Sequence, residues 1–169
     1  MTASELDPSA LVAAFSEASA RVETLYRLQA LGDAALPAVR EGLQDPDWHV
    51  RHWCAIYLDR GGTADVLPDL IPLLHDPEPQ VRLWAIHSLA CEHCKEGECQ
   101  LDVVPLLLDR LERDPHVRVR KMAAAMLFTL PVDARVPAAL EASLARETDR
   151  KLRLHVQRAL ERYQRPAAG

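Results

Sequence analysis

The sequence is poor in aromatic residues and in glycine. Aromatic side chains make up 5% of its 169 residues, and it has 6 Gly against 12 Pro. An all-β sandwich needs aromatic and β-branched strand positions and many glycine turns, so this composition disfavours that class. No run approaches the ~20 apolar residues that cross a bilayer. Residues 1–9 also lack the basic and apolar segments of a signal peptide. We therefore expect no contact with a membrane and a cytoplasmic location.

An excess of positive charge is also missing. The chain has 20 Lys and Arg against 25 Asp and Glu, which gives a formal net charge of −5. Nucleic-acid binding depends on summed basic charge, so we do not expect nucleic acid as the partner. The charge is unevenly spread, because residues 101–169 contain 13 basic and 9 acidic residues. This last part of the chain leaves a local contact with an anionic group open.

What the sequence does contain is an internal repeat. A segment of the form Asp-Pro-x-x-x-Val-Arg recurs three times and a fourth time in degenerate form, at residues 45–51, 76–82, 114–120 and 147–153. The Arg residues that close these segments lie 31, 38 and 33 positions apart. A second marker, Leu-Pro or Val-Pro, recurs in phase at residues 36–37, 67–68, 104–105 and 136–137. Two markers that share one period predict a repeat architecture.

Each repeat is predicted to be a pair of helices. The second marker opens the first helix, where proline costs no backbone hydrogen bond. The Asp-Pro turn ends that helix, and apolar residues follow the Val-Arg dipeptide at helical spacing. We expect about five pairs, at roughly residues 8–31, 34–60, 65–91, 101–129 and 134–163. Pairs that expose apolar stripes must stack to bury them, so the sequence predicts a single all-α, right-handed solenoid domain over residues 1–169.

These markers resemble HEAT repeats, most closely the short bacterial type first recognised in phycobilin lyases. The resemblance covers residues 34–163 and, more weakly, residues 8–31. It implies an ARM/HEAT-type superhelix and, most often, a non-catalytic scaffold for protein–protein interaction. A few members of the family are enzymes, among them bilin lyases, a di-iron deoxyhypusine hydroxylase and DNA glycosylases.

The sequence departs from those enzymes. It has no His-Glu dipeptide, which the hydroxylase resemblance would require for iron binding, and its acidic balance does not suit the basic groove of a glycosylase. It also has no Ser/His/Asp arrangement and no phosphate-binding glycine loop. We therefore expect no catalytic residues, and a bilin-lyase-like enzyme is the remaining enzymatic alternative.

A Cys-rich insertion interrupts the repeat at residues 91–99, where the period lengthens from 31 to 38 residues. Three of the four cysteines lie here, and a histidine four residues upstream shares a helical face with the first of them. This clustering of thiols and imidazole suits a structural zinc ion. The candidate ligands are His87, Cys91, Cys94 and Cys99, with His93 as the alternative histidine. An insertion without a metal and a redox or disulfide role are the other interpretations.

A candidate binding strip follows from the helix pairs. The second helix of each pair is expected to line the concave side, with a mixture of apolar and basic side chains facing the partner. The predicted strip residues are His52, Ile56, Leu83, Ile86, Lys121 and Arg158. The recurring Arg51, Arg82, Arg120 and Arg153 are expected instead to form ion pairs between repeats that register the stack.

Overall fold

A computed structural model of the chain describes residues 7–61, 64–91 and 101–164. These residues form nine α-helices and contain no strand, which confirms the all-α class. The helices are α1 (Pro8–Ala13), α2 (Arg21–Leu31), α3 (Leu36–Gly42), α4 (Trp48–Gly61), α5 (Pro79–Ala90), α6 (Val104–Arg113), α7 (Val117–Thr129), α8 (Val136–Arg146) and α9 (Arg150–Gln164). Short 3-10 helices add Ala14–Ser16, Gly32–Ala35, Ala64–Leu70 and Pro72–His75. Within the described ranges no helix has both the length and the apolar character needed to cross a membrane.

The two repeat markers lie where helices begin. Leu36, Val104 and Val136 are the first residues of α3, α6 and α8, each with proline in the first turn. After each Asp-Pro turn a second helix follows, and the turn carboxylate accepts a hydrogen bond from the backbone two residues on. Asp114 Oδ1, for example, lies 2.9 Å from the nitrogen of His116, just before α7. Such local side-chain bonds favour a turn over continued helix.

The third pair departs from the expected geometry. Its first member is a pair of 3-10 segments, Ala64–Leu70 and Pro72–His75, in place of an α-helix. Pro68 and Pro72 lie within these segments and remove two backbone donors. The tighter turns still bury Leu67, Leu70 and Leu74, whereas Ile71 is half-buried. The hydrophobic pattern therefore survives although the helix type does not.

The described residues pack into two compact units, of which the first reaches to Leu89 and the second contains α6 to α9. The core of the first unit includes the fully buried side chains of Phe15, Leu28 and Tyr57. The hydroxyl of Tyr57 donates to the carbonyl oxygen of Gly32 at 2.9 Å, which satisfies its only donor inside the core. The core of the second unit includes the fully buried leucines Leu107, Leu111, Leu127 and Leu140.

Candidate functional site

The recurring arginines have the same local role in successive repeats. Nη1 of Arg51 donates to the carbonyl oxygens of Asp45 at 2.8 Å and Pro46 at 3.1 Å. Arg82 makes the equivalent bonds at 2.7 and 3.1 Å, and Arg120 makes them at 3.0 and 3.3 Å. These carbonyls belong to the Asp-Pro turn, where helix geometry leaves them without backbone donors. The arginine therefore clamps the turn that joins the two helices of its own repeat.

Two of these arginines also bind the next repeat. Nε and Nη2 of Arg51 lie 2.6 and 2.9 Å from the carboxylate of Asp76. Nε and Nη2 of Arg120 lie 2.9 and 2.7 Å from Oε2 of Glu147. Both carboxylates are buried. For Arg51 and Arg120 the predicted ladder of ion pairs between repeats is confirmed. Both side chains stabilise the fold and are not available to bind a partner.

The two ion pairs also shift the pKa of Arg51 and of Glu147. The pKa of Arg51 is raised, first by its hydrogen bond to Asp76 and then by the charge of that carboxylate. For Glu147, burial acts to raise the pKa, but the hydrogen bonds from Arg120 and from the amides of Asp149 and Thr148 outweigh it and lower the pKa overall. Both groups are therefore charged at neutral pH.

Part of the predicted zinc site is brought together at the end of α5. His87 Nε2 lies 3.6 Å from Oδ2 of Asp59, a buried residue of α4. One ligand atom each of Asp59, His87 and Cys91 lies within 4.8 Å of the others. Carboxylate, imidazole and thiolate are all donors that zinc accepts. Cys94, Cys99 and the alternative His93 lie outside the described residues.

Asp59 was missed by the sequence reasoning. It lies 28 residues before His87 in the chain, and the only signal in the sequence is that it directly follows the apolar run of residues 54–58. Ser88 donates to the carbonyl oxygen of Ala55 at 3.1 Å, which fixes α5 against α4 and sets the register that places His87 beside Asp59. Long-range packing of this kind cannot be obtained from helical periodicity.

The first-unit half of the predicted binding strip is corrected by the structure. Ile56 is 8% exposed and Ile86 is completely buried, so the prediction that they face solvent is wrong. The physical reason is that α4 and α5 are covered on more than one side, as the continuous burial of residues 54–59 in α4 and of residues 88–90 in α5 shows. A helix with a single apolar stripe would leave the two isoleucines facing solvent.

The other two first-unit strip residues, His52 and Leu83, are half-buried. The ring of His52 meets Trp53 and Trp84 edge-on, with centroids 6.2 and 6.1 Å apart. Burial is the main cause that lowers the pKa of His52. These contacts make His52 part of an aromatic cluster, and little of its surface is accessible to a partner.

The second-unit residues of the predicted strip lie on α7 and α9, two helices that pack against each other. The charges of Lys121 on α7 and Arg158 on α9 both act on the imidazole of His155, which belongs to α9. Burial is the largest cause that lowers the pKa of His155, and the positive charges of Lys121 and Arg158 lower it further. Among the described residues neither Lys121 nor Arg158 forms an ion pair. Their charge is therefore available at the surface.

Apolar side chains accompany these two cations. Phe128 lies seven residues after Lys121 on α7 and is 45% exposed, and Leu154 lies one turn before Arg158 on α9 and is 47% exposed. Sequence reasoning missed Phe128 because only the first half of α7 was assigned to the strip, although its spacing from Lys121 places both on one helical face.

Arg162 is fixed across the ring of Phe128. Its Cζ atom lies 5.8 Å from the ring centroid. Its Nη1 atom donates to the carbonyl oxygens of Phe128 and Leu130 at the end of α7. Phe128, Arg158, Glu161 and Arg162 line an open cleft of about 490 Å³. We define the α7–α9 face as Lys121, Phe128, Leu154, Arg158, Glu161 and Arg162.

Comparison with known proteins identifies the repeat. A family model described as HEAT repeats matches residues 9–90 and, in a second overlapping match, residues 67–161. Together the two matches cover most of the chain. The search among curated proteins found no match.

Proposed function

Because the chain belongs to the HEAT-repeat family, we propose that it is a non-catalytic protein-interaction module that binds a partner on its α7–α9 face. Stacked helix pairs commonly serve as scaffolds, since their second helices present an extended surface that varies while the core stays constant. We further propose a cytoplasmic location, where the reducing environment keeps Cys91 and the other cysteines as thiols.

One observation carries this proposal. Phe128 and Leu154 expose large apolar side chains beside Lys121 and Arg158, which form no ion pair within the described ranges. Apolar and aromatic anchors with charged groups at the rim are typical of protein interfaces. The clamp arginines differ from these two cations, because Arg51 and Arg120 already donate hydrogen bonds to turn carbonyls and to buried carboxylates.

The test compares two exposed apolar pairs. Phe128→Ser with Leu154→Ser changes the α7–α9 face, whereas Val22→Ser with Tyr26→Ser changes α2, where these side chains are 58% and 65% exposed. Each tagged variant is used for affinity capture from native lysate, and captured proteins are quantified by mass spectrometry. We expect loss of specific partners only for the first pair, with circular dichroism unchanged in both. Equal capture by both variants, or loss in the α2 variant alone, contradicts the proposal.

A second candidate function is zinc binding, which can coexist with the first. It is supported by the approach of Asp59, His87 and Cys91 to within 4.8 Å at the end of α5. Cys94 and Cys99 remain predicted ligands outside the described residues. Cys54 does not take part, because burial raises the pKa of its thiol and the charge of Asp45 raises it further, so the thiolate is disfavoured.

Metal analysis tests this second candidate. Protein purified without added metal is expected to contain about one zinc per chain. Cys91→Ser and Asp59→Asn should each lower the bound zinc, and Cys54→Ala, which removes a cysteine elsewhere, should not. With cobalt in place of zinc, the sulfur-to-cobalt absorption band should be weaker in Cys91→Ser than in the wild type. Wild-type protein that binds neither zinc nor cobalt overturns the candidate.

A further inference from the structure

Among the described arginines of the second unit, some form ion pairs and others do not. Ion pairs join Arg113 to Asp109, Arg120 to Glu147, and Arg135 to Asp102 and Asp133. The cations Lys121 and Arg158 of the α7–α9 face belong to the second group, since neither contacts a carboxylate within the described ranges. With Arg162 this face carries three positive side chains against one negative side chain, Glu161.

The imidazole of His155 on α9 does not offset the positive charge of Lys121 and Arg158. Burial, followed by the fields of Lys121 and Arg158, lowers the pKa of His155. The ring is therefore neutral at pH 7 and can accept or donate a hydrogen bond without adding or removing charge. Lys121 and Arg158 belong to different helices, but α7 packs directly against α9.

The cleft at Phe128 is preorganised. Arg162 is fastened to two carbonyl oxygens at the end of α7 and lies 5.8 Å above the Phe128 ring, so its position is set before any partner arrives. Binding of a group beside the ring therefore costs little conformational entropy for ordering this arginine. The open volume of about 490 Å³ accommodates an aromatic or a branched aliphatic side chain.

From these features we propose, building on the proposed function, that the α7–α9 face binds an acidic protein segment that carries an aromatic or aliphatic side chain. Carboxylates of the segment pair with Lys121 and Arg158, and its apolar side chain packs against Phe128 and Leu154. A protein segment fits better than a nucleic acid, because the face offers apolar contacts at Phe128 and Leu154 but only three cations, and binding along a phosphate backbone depends on summed basic charge.

Four fluorescent probes of equal length test this partner chemistry. They are a Glu-rich peptide with interspersed Leu and Phe, the same peptide with Lys for Glu, the same peptide with Ala for Leu and Phe, and a single-stranded oligonucleotide. Fluorescence anisotropy measures affinity, and backbone amide shifts measured by NMR locate the binding. We expect binding only of the first peptide, with shifts in α7 and α9 and affinity that falls as salt is added.

Charge reversal localises the effect. Lys121→Glu with Arg158→Glu should weaken binding of the first peptide by about tenfold or more. Arg27→Glu with Arg60→Glu makes the same change in net charge on exposed residues of the first unit and should leave the affinity within about twofold. Equal weakening by the two double variants would mean that only the total charge matters, and would overturn the proposed site.

The probe outcomes separate the two proposals. Tighter binding of the Lys-rich peptide or of the oligonucleotide at the same face overturns the acidic partner and leaves the interaction surface intact. No binding of the Glu-rich peptide at about 1 mM also overturns the acidic partner. The interaction module itself fails only when, in addition, the Phe128 and Leu154 variant captures the same proteins as the wild type.

Discussion

Helices α4 and α7 occupy the same position in their repeats and have different surfaces. In α4 every residue from 54 to 59 is buried, and its aromatic neighbours cover His52. In α7 the turn clamp is the same, but Lys121 is half-buried and Phe128 is exposed. The comparison teaches that the repeat motif determines the core and the turns, whereas the surface of each second helix is set independently.

The shared part of the two units is the arginine clamp. Arg51 and Arg120 bind the carbonyls of their own turns and a buried carboxylate of the next repeat, and Glu147 replaces the aspartate found at position 76. The longer glutamate side chain still reaches the guanidinium. The motif therefore accepts Asp or Glu at this position, provided that the carboxylate is charged and can reach the arginine of the preceding repeat.

The largest effect should come from removing a clamp arginine. Arg51→Met leaves the Asp76 carboxylate buried without its partner, and Arg120→Met does the same to Glu147, so each should lower the free energy of unfolding by about 3 kcal/mol. Chemical denaturation measures this loss. Arg27→Met is the control, because the Arg27–Glu23 pair is exposed and should contribute less than about 1 kcal/mol. Similar losses in all three variants would show that the clamps have no special role.

A smaller effect is expected where α3 meets α4. A Cβ atom on Gly42 would lie 2.5 Å from Sγ of Cys54 and 2.7 Å from Cγ1 of Val12. Gly42→Ala should therefore destabilise the first unit by about 2 kcal/mol through overpacking. Adding Cys54→Ala removes one of the two clashes and should restore part of the loss. An unchanged midpoint of thermal unfolding in Gly42→Ala would contradict this packing.

The smallest effect concerns pH and belongs to the second unit. Because the folded state lowers the pKa of Glu147, its ion pair with Arg120 contributes stability above the ordinary pKa of glutamate. That contribution is lost as the pH falls through the lowered pKa of the folded state. Stability measured from pH 7 downward should therefore decline less steeply in Glu147→Gln than in the wild type. Parallel curves would contradict the assignment.

The sequence was most informative where residues repeat. The Asp-Pro turns and the spacing of Arg51 and Arg120 predicted both the helix pairs and their ion pairs, because local capping and periodicity depend on neighbours in the chain. The sequence was least informative where packing between distant residues determines burial and contacts. Ile86 is buried by contacts outside its own stripe, and Asp59 reaches His87 only through the register of α5 on α4.

The α7–α9 face falls between these cases. Lys121 and Arg158 could be predicted because each lies off the apolar stripe of a second helix. The cleft beside them depends on Arg162 folding back to the end of α7, a contact across 34 residues with Phe128 that no local pattern encodes.

Hydrogen–deuterium exchange of the captured complex tests the central claim most directly. Backbone exchange is compared with and without the bound partner, and peptides from α2, α7 and α9 are followed in the same experiment. We predict slower exchange in α7 and α9 on binding, with α2 unchanged. Protection confined to α2, or to other helices of the first unit, would contradict the account.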